Sequence, residues 1–287
     1  MNVKNINDLN KTKLTIVCST NQKYIQYVRP FFNSLEENSK NLNVVLRLVN
    51  CNEFSDEYKN FNLYKIYDYK NFKNKIITNY EDSKQLNYIE LKEKIKNGKL
   101  GNPIFKRDEG VYCSNIKFKT INLLIDNGFK HILYLDVDTI VNHDFNSIVT
   151  DSKKYDLAMF VDKNDINSYT TKYGEKYMGW NAGFMYINNN KCSKKFYKKL
   201  EERVTQDIFN IEADEVEFQK LLSEIDIKIL YVNKKYKDNG PEYNNNSYMW
   251  SGQSDEKIVN TMYRNKIKEY NGTSSKLFTG NAKKTNI

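Results

Sequence analysis

An open, mostly parallel α/β sheet is the fold that this 287-residue, 34.0 kDa chain predicts, on three observations. Short apolar runs alternate with amphipathic segments from residue 14 to residue 161, the order written by a strand–helix–strand architecture. Runs such as Leu14-Thr-Ile-Val-Cys-Ser-Thr20 lack the polar alternation of a half-exposed strand, so they suit a sheet covered on both faces. One of them, His131-Ile-Leu-Tyr-Leu-Asp136-Val-Asp138-Thr-Ile-Val141, is interrupted by two carboxylates one residue apart. Burying an ionised carboxylate costs several kcal/mol unless it is paired or bound to a metal. Two Asp at the carboxyl lip of a buried strand therefore want a cation, and a hard divalent ion with positions left for phosphate oxygens suits them.

Taken in order, Leu14 to Thr20 is the first strand, and Tyr24 to Asn38 an amphipathic helix with Val28, Phe31, Phe32 and Leu35 at helical spacing. Pro30 in its interior predicts a kink. Asn43 to Val49 is the second strand and Leu63 to Tyr67 a third. A Lys-rich helix over Ser83 to Lys96 is expected inside an insertion, 51–110, whose pattern is otherwise poor. Ser114 to Asn127 is a helix with Ile116, Ile121, Leu124 and Ile125 inward and Gly128 as its stop. The strand carrying Asp136 and Asp138 follows, with apolar positions continuing to Val141. Phe145 to Val149 is a short helix, Leu157 to Val161 a strand, and Asp162 to Lys176 a polar loop. Phe184 to Ile187 is a strand, Ser193 to Val204 and Asp214 to Ile225 are helices, and Ile227 to Val232 is a strand. A polar segment with Pro241 and Asn244-Asn-Asn-Ser247 leads to a last helix, Asp255 to Tyr263, and a loose tail. The pattern divides the chain into a sheet domain over 1–233 and a polar C-terminal segment, 234–287. Open parallel sheets bind ligands beyond the carboxyl ends of their strands, where Thr20 and Asp136 both lie.

Composition narrows the class. No apolar stretch approaches the length of a membrane span, and the polar N-terminus lacks the apolar core of a signal peptide; a soluble, cytoplasmic protein is expected. Cys18, Cys51, Cys113 and Cys192 are scattered, which argues against a disulfide framework or a zinc site. The net charge of +9 invites a nucleic-acid reading. Of 45 basic residues only Arg29, Arg47, Arg107, Arg203 and Arg264 are Arg, and the Lys are dispersed. The charge therefore implies a weak attraction to anions, nucleotides included, rather than specific DNA binding.

Four blocks carry a family resemblance: Ser19-Thr20-Asn21-Gln22-Lys23-Tyr24 with Asn33-Ser34-Leu35; Leu133 to Thr139; Gly179-Trp180-Asn181-Ala182-Gly183-Phe184-Met185; and Ala213 to Leu222. In this order they resemble the nucleotide-sugar glycosyltransferases of the GT-A fold, most closely glycosyltransferase family 8 with its glycogenin and lipopolysaccharide galactosyltransferase relatives. The resemblance implies that Cys18, Thr20, Asn21 and Tyr24 line a uracil and ribose pocket, with Tyr24 stacked on the base. It implies that Asp136 reaches the ribose and a Mn²⁺ or Mg²⁺ ion, that Asp138 reaches the ion, and that a Lys on the preceding helix contacts the donor. Lys119 fits that place best, with Lys117 its rival. Asn181, Ala182 and Gly183 would sit against the donor sugar, and Asp214, with Glu215 beside it, would face sugar hydroxyls or the acceptor. Read without the resemblance, the same residues are a strand end with an Asn cap, a Gly-containing turn and a helix start rich in acids.

The implied activity is metal-dependent transfer of glucose or galactose from a UDP-sugar to a hydroxyl acceptor, with retention of configuration. Two rivals stand beside it: a glycosyltransferase acting on modified DNA bases, and a non-catalytic nucleotide or glycan binder with a degenerate metal site. One departure feeds the second rival. The family's third metal ligand is a C-terminal His, and here Met249 stands at that position, ahead of Gly252. Asp255 is the nearest acid after Gly252 and the candidate replacement, and Asp238 precedes it in the same stretch.

Overall fold

The computed structural model describes residues 2–70, 78–79, 108–161, 180–206, 208, 210–211, 213–252 and 260–271. The helix expected over 83–96, the loop over 162–176 and Asp255 lie outside the described residues.

Leu14–Asn21 (β2) and Leu42–Val49 (β3) are buried along their whole length, as their predominantly apolar runs without polar alternation suggest. Between them runs Val28–Asn38 (α1), entered through a 3₁₀ turn at Ile25–Tyr27. Pro30 falls in the first turn of α1, where backbone N–H groups have no intrahelical acceptor, so the expected interior kink has no cause. Phe61–Asp68 (β4) extends the sheet beside β3, and Asn2–Val3 (β1) caps that edge. Asp108–Asp126 (α2) starts six residues earlier than its apolar spacing announces, and ends at Gly128, whose φ is +83°.

The strand with the two carboxylates is shorter than its apolar pattern. His131–Leu135 (β5) stops at Leu135, and Thr139 Oγ1 donates to the Asp136 carbonyl at 2.8 Å to close a turn. Ile140–Val141 (β6) leaves the main sheet. After Ser147–Asp151 (α3) and Leu157–Val161 (β7), Trp180–Asn188 (β8) runs antiparallel between β5 and β7. Lys191–Gln206 (α4), Ala213–Glu224 (α5) and Ile229–Val232 (β9) follow, with β9 parallel to β7. Among the described residues the main sheet runs β1-β4-β3-β2-β5-β8-β7-β9, parallel except for β8.

Alternate strand residues feed two cores. Ile16, Cys18, Val44 and Leu46 pack towards Phe31, Phe32 and Leu35 of α1. Val17, Val45, Ile132 and Tyr134 pack towards Phe118, Ile121 and Leu124 of α2 and Phe196 and Leu200 of α4. The C-terminal segment joins the first core. Lys237–Asp238 (β10) pairs with Met249–Trp250 (β11), which runs antiparallel to β6. The last helix, Thr261–Asn271 (α6), begins later than the sequence pattern predicts and buries Tyr263 and Ile267. Asn33 Nδ2 donates to the Tyr270 carbonyl at 2.5 Å, and Ser34 Oγ accepts from Val141 N–H at 3.0 Å. The Asn33-Ser34 pair thus serves as a clamp on α6 and β6. None of the described helices is long and apolar enough to cross a membrane.

Candidate functional site

The chain order places a crevice at one point of the sheet. From β2 the chain moves outward to β3 and β4, then returns through α2 to β5 on the other side of β2. At such a reversal the loops leaving two adjacent strands part, and ligands bind between them. In the parallel register of β2 and β5, Val17 lies opposite Tyr134, which brings the ends carrying Ser19 to Asn21 and Asp136 to Asp138 side by side.

Asp136 sits immediately after β5, facing the start of β8. Its backbone N–H donates to the Gly183 carbonyl at 3.4 Å, and Tyr134 donates its phenol proton to Asp136 Oδ1 at 3.3 Å. Burial, with Asp136 adding to it, holds the Tyr134 phenol well above its usual range, so it remains a donor. The Asp136 carboxylate lies over the Cα of Gly183. A Cβ there would stand 2.5 Å from Lys237 Nζ and closer still to Asp136 Oδ2. Only glycine leaves this space, which gives the residue a steric reason to be what it is. Asn181 Oδ1 accepts from Gly183 N–H at 2.9 Å and from Lys237 Nζ at 2.5 Å, and Ala182 is buried beside it.

A second charged couple lies nearby. Lys117 and Asp214 are 2% and 7% exposed, and Lys117 Nζ meets Asp214 Oδ2 at 2.6 Å. The ammonium also stands 5.2 Å from the centre of the Tyr134 ring, whose phenol reaches Asp136. Asp214 Oδ1 accepts from Glu215 N–H at the first turn of α5, and Glu215 itself is half-buried. Lys119 is exposed. Two residues along a helix lie on nearly opposite faces, so α2 brings Lys117 to this cluster and turns Lys119 away. Of the two candidates, Lys117 is the one that joins Asp214 and Tyr134.

The first block divides between core and crevice. Cys18 is fully buried in the core beneath α1, and burial, with Asp136 adding to it, raises its thiol far above the usual value. Thr20 and Asn21 are buried at the strand end, and Asn21 Oδ1 accepts from Tyr24 N–H at 3.1 Å as a turn cap. Tyr24 is 38% exposed, with its ring 5.9 Å from that of Tyr27. Ser19 Oγ is buried and lacks a hydrogen-bond partner, an orphan at the very place where β2 and β5 diverge.

Behind Asp138 stands an aromatic wall that sequence reasoning missed. Tyr263 of α6 donates to the Asp138 carbonyl at 2.7 Å and contacts the rings of Tyr27 and Trp250. Burial, then Asp138, raises both Tyr27 and Tyr263. Apolar spacing marks aromatics only as core, so nothing in the sequence tied these to Asp138. Lys237 was missed as well, because a Lys in a polar, Lys-rich stretch carries no sign of burial. Met249, at the place of the family's His, is fully buried in β11. Asp238 is committed to its own loop, accepting from Gly240 N–H and Asn244 Nδ2 at 2.8 Å each. Asp136 and Asp138 are hard oxygen donors. Among the described residues no third His, Cys, Asp or Glu joins them in a metal-holding cluster.

Comparison with known proteins adds three findings. A family model described as nucleotide-diphospho-sugar transferase matches residues 78–278. The galactosyltransferase LgtC, solved in complex with donor and acceptor sugar analogues, superposes with a TM-score of 0.52 at 13% identity, covering 91% of this chain and 96% of that one. The WbbM bifunctional glycosyltransferase superposes with a TM-score of 0.52 at 11% identity, covering 89% of this chain and 50% of that one. Among curated proteins none matches the sequence significantly. The shared fold is GT-A, and it agrees with the open sheet and its one antiparallel strand.

Proposed function

The chain belongs to the nucleotide-diphospho-sugar transferase family, a glycosyltransferase using a nucleotide sugar, and from that premise we propose that it moves a hexose from a UDP-sugar to a hydroxyl acceptor with retention of configuration. One observation carries the assignment of the site. Asp136 lies against Gly183 at the point where the sheet reverses its strand order, so a carboxylate stands at the crevice where ligands of such sheets bind.

The residues present fit a divalent cation. Asp136 and Asp138 offer hard oxygens at the rim, and phosphate and water would supply the rest of a six-fold shell. When bound, Mn²⁺ or Mg²⁺ supplies positive charge to the departing diphosphate. The chain does the remainder. Tyr134, kept protonated by burial, holds Asp136 Oδ1, while Oδ2 lies against Gly183. Asn181 has its Oδ1 occupied by two donors, so its amide presents Nδ2–H to a sugar hydroxyl. Lys117 neutralises Asp214 and fixes that carboxylate near Tyr134, and in this reading Asp214 and Glu215 meet the sugar hydroxyls or the acceptor. Ser19 Oγ and Thr20 await the ribose, and exposed Tyr24 offers a ring face to the base.

Ligands that bind only the folded state raise its melting temperature by mass action. With Mn²⁺, UDP-glucose or UDP-galactose is expected to stabilise the protein more than GDP- or ADP-sugars do, and to release UDP on incubation. Asp136→Asn should lose both effects while keeping its far-ultraviolet spectrum. Equal stabilisation by every nucleotide sugar, or undiminished UDP release by Asp136→Asn, would overturn the assignment.

A further inference from the structure

Lys237 is 2% exposed, although a lysine ammonium is costly to bury without anionic or hydrogen-bonding partners. Its position is not accidental to the backbone. Tyr236, the residue before it, is buried, with its ring 4.9 Å from Tyr248 and 5.9 Å from Phe184. Asp238, the residue after it, is fixed in its loop by Gly240 and Asn244. Lys237 is paired in register with Met249, which in turn pairs with Val141 just beyond the two carboxylates. The C-terminal segment thus carries one ammonium to a defined point. There it donates to Asn181 Oδ1, and it flanks, with Asp136 Oδ2, the small space above Gly183.

We infer that Lys237 is a positioning residue that makes binding of the divalent cation depend on the nucleotide, an inference that rests on the metal-dependent reading above. Its ammonium serves as a resident counter-ion for Asp136. Without nucleotide, two carboxylates and one ammonium leave a single net negative charge to attract a dication. A bound diphosphate adds several negative charges to the same place and turns the balance, so cation and nucleotide enter as a pair. The same ammonium fixes the Asn181 amide with its NH₂ outward. One structural element therefore sets both the charge at Asp136 and the hydrogen-bonding sense at Asn181.

The test uses Mn²⁺ as its own probe, read as loss of the free-ion electron paramagnetic resonance signal, with and without UDP. Lys237→Gln keeps a donor for Asn181 Oδ1 and removes the charge, whereas Lys237→Arg keeps the charge. Removing a unit charge from beside a dication that itself remains partly hydrated is worth about tenfold in affinity. Lys237→Gln is expected to bind Mn²⁺ about tenfold more tightly than wild type in the absence of UDP, and Lys237→Arg to resemble wild type. Unchanged Mn²⁺ affinity in a folded Lys237→Gln protein, while wild type binds Mn²⁺ with UDP, overturns the inference and leaves the metal-dependent reading intact. Wild type that binds no Mn²⁺ even with UDP overturns that reading first. Should Lys237→Gln not fold, wild type decides: a Mn²⁺ affinity raised less than threefold by UDP overturns the inference.

Discussion

Lys117 and Asp214 show how much a single buried contact decides. Each is almost fully removed from water, so each depends on the other for a counter-charge. Removing one partner of a buried pair leaves an uncompensated charge and typically costs about 3–5 kcal/mol, whereas replacing both by apolar groups is often neutral. Lys117→Met should therefore lower the stability of the fold by about that amount, with Asp214→Leu in the same chain restoring most of it. Denaturant titration of the single and double variants measures this. A double variant as unstable as the single would show that the pair contributes through something other than charge. The sequence could name Asp214, because an acid opening a helix in a family-like block has a recognisable place. It could not choose between Lys117 and Lys119, since both suit the spacing and the decision belongs to the face of α2 that meets Tyr134.

At the scale of elements, Gly252 governs how the C-terminal segment meets the carboxylates. Its φ is +58°, and a Cβ would stand 2.8 Å from Cδ2 of Tyr263, a rigid ring with no easy retreat. An L-residue in the left-handed region costs roughly 1–2 kcal/mol before any collision is counted. Gly252→Ala should therefore lower the unfolding free energy by at least this much, read as a lower urea midpoint, and disturb the Tyr263 hydrogen bond to Asp138. An unchanged midpoint would mean that Gly252 and the Tyr263 ring relax away from each other freely. The elements themselves were largely legible. The apolar runs at Leu14, Val44 and Leu157 became strands because a sheet covered on both faces buries almost every position, the few polar ones such as Thr15, Asn43 and Arg47 being buried with hydrogen-bond partners. The misjudged boundaries have physical causes. Ile140 and Val141 look like a continuation of β5 because they too are buried, but their partner is β11, and periodicity carries no information about partners. Pro30 reads as a helix breaker until its place in the first turn is known.

The whole molecule raises the question of whether 234–287 stands apart from the sheet, as the change to polar composition suggests. Packing argues for one cooperative unit. Met249, Trp250, Tyr263 and Ile267 are wholly buried, and they share one core with Phe31, Phe32 and Leu35 of α1 and with Val44 and Leu46 of β3. Burying each such side chain is worth about 1.5–3 kcal/mol, so the four together rival the roughly 5–15 kcal/mol that holds a typical domain folded. The polar composition reflects the loop between β10 and β11, whose polar side chains bond to nearby backbone: Asn244 Oδ1 accepts from Asn246 N–H, and Ser247 Oγ donates to the Asn244 carbonyl. Trp250 gives a direct probe, because Trp180 is the other tryptophan and can be changed to Phe. In Trp180→Phe, the fluorescence of Trp250 should report the same denaturation midpoint as far-ultraviolet circular dichroism, which follows the helices. A chain ending at Val232 should lose that cooperative transition, since it would expose the apolar faces of α1 and β6 that the missing residues cover. Two separated midpoints in the full chain, or a sharp transition in the shortened one, would make the C-terminal segment an independent module. The carboxylate site would then be assembled by docking two bodies, and its geometry would depend on that docking rather than on a shared core.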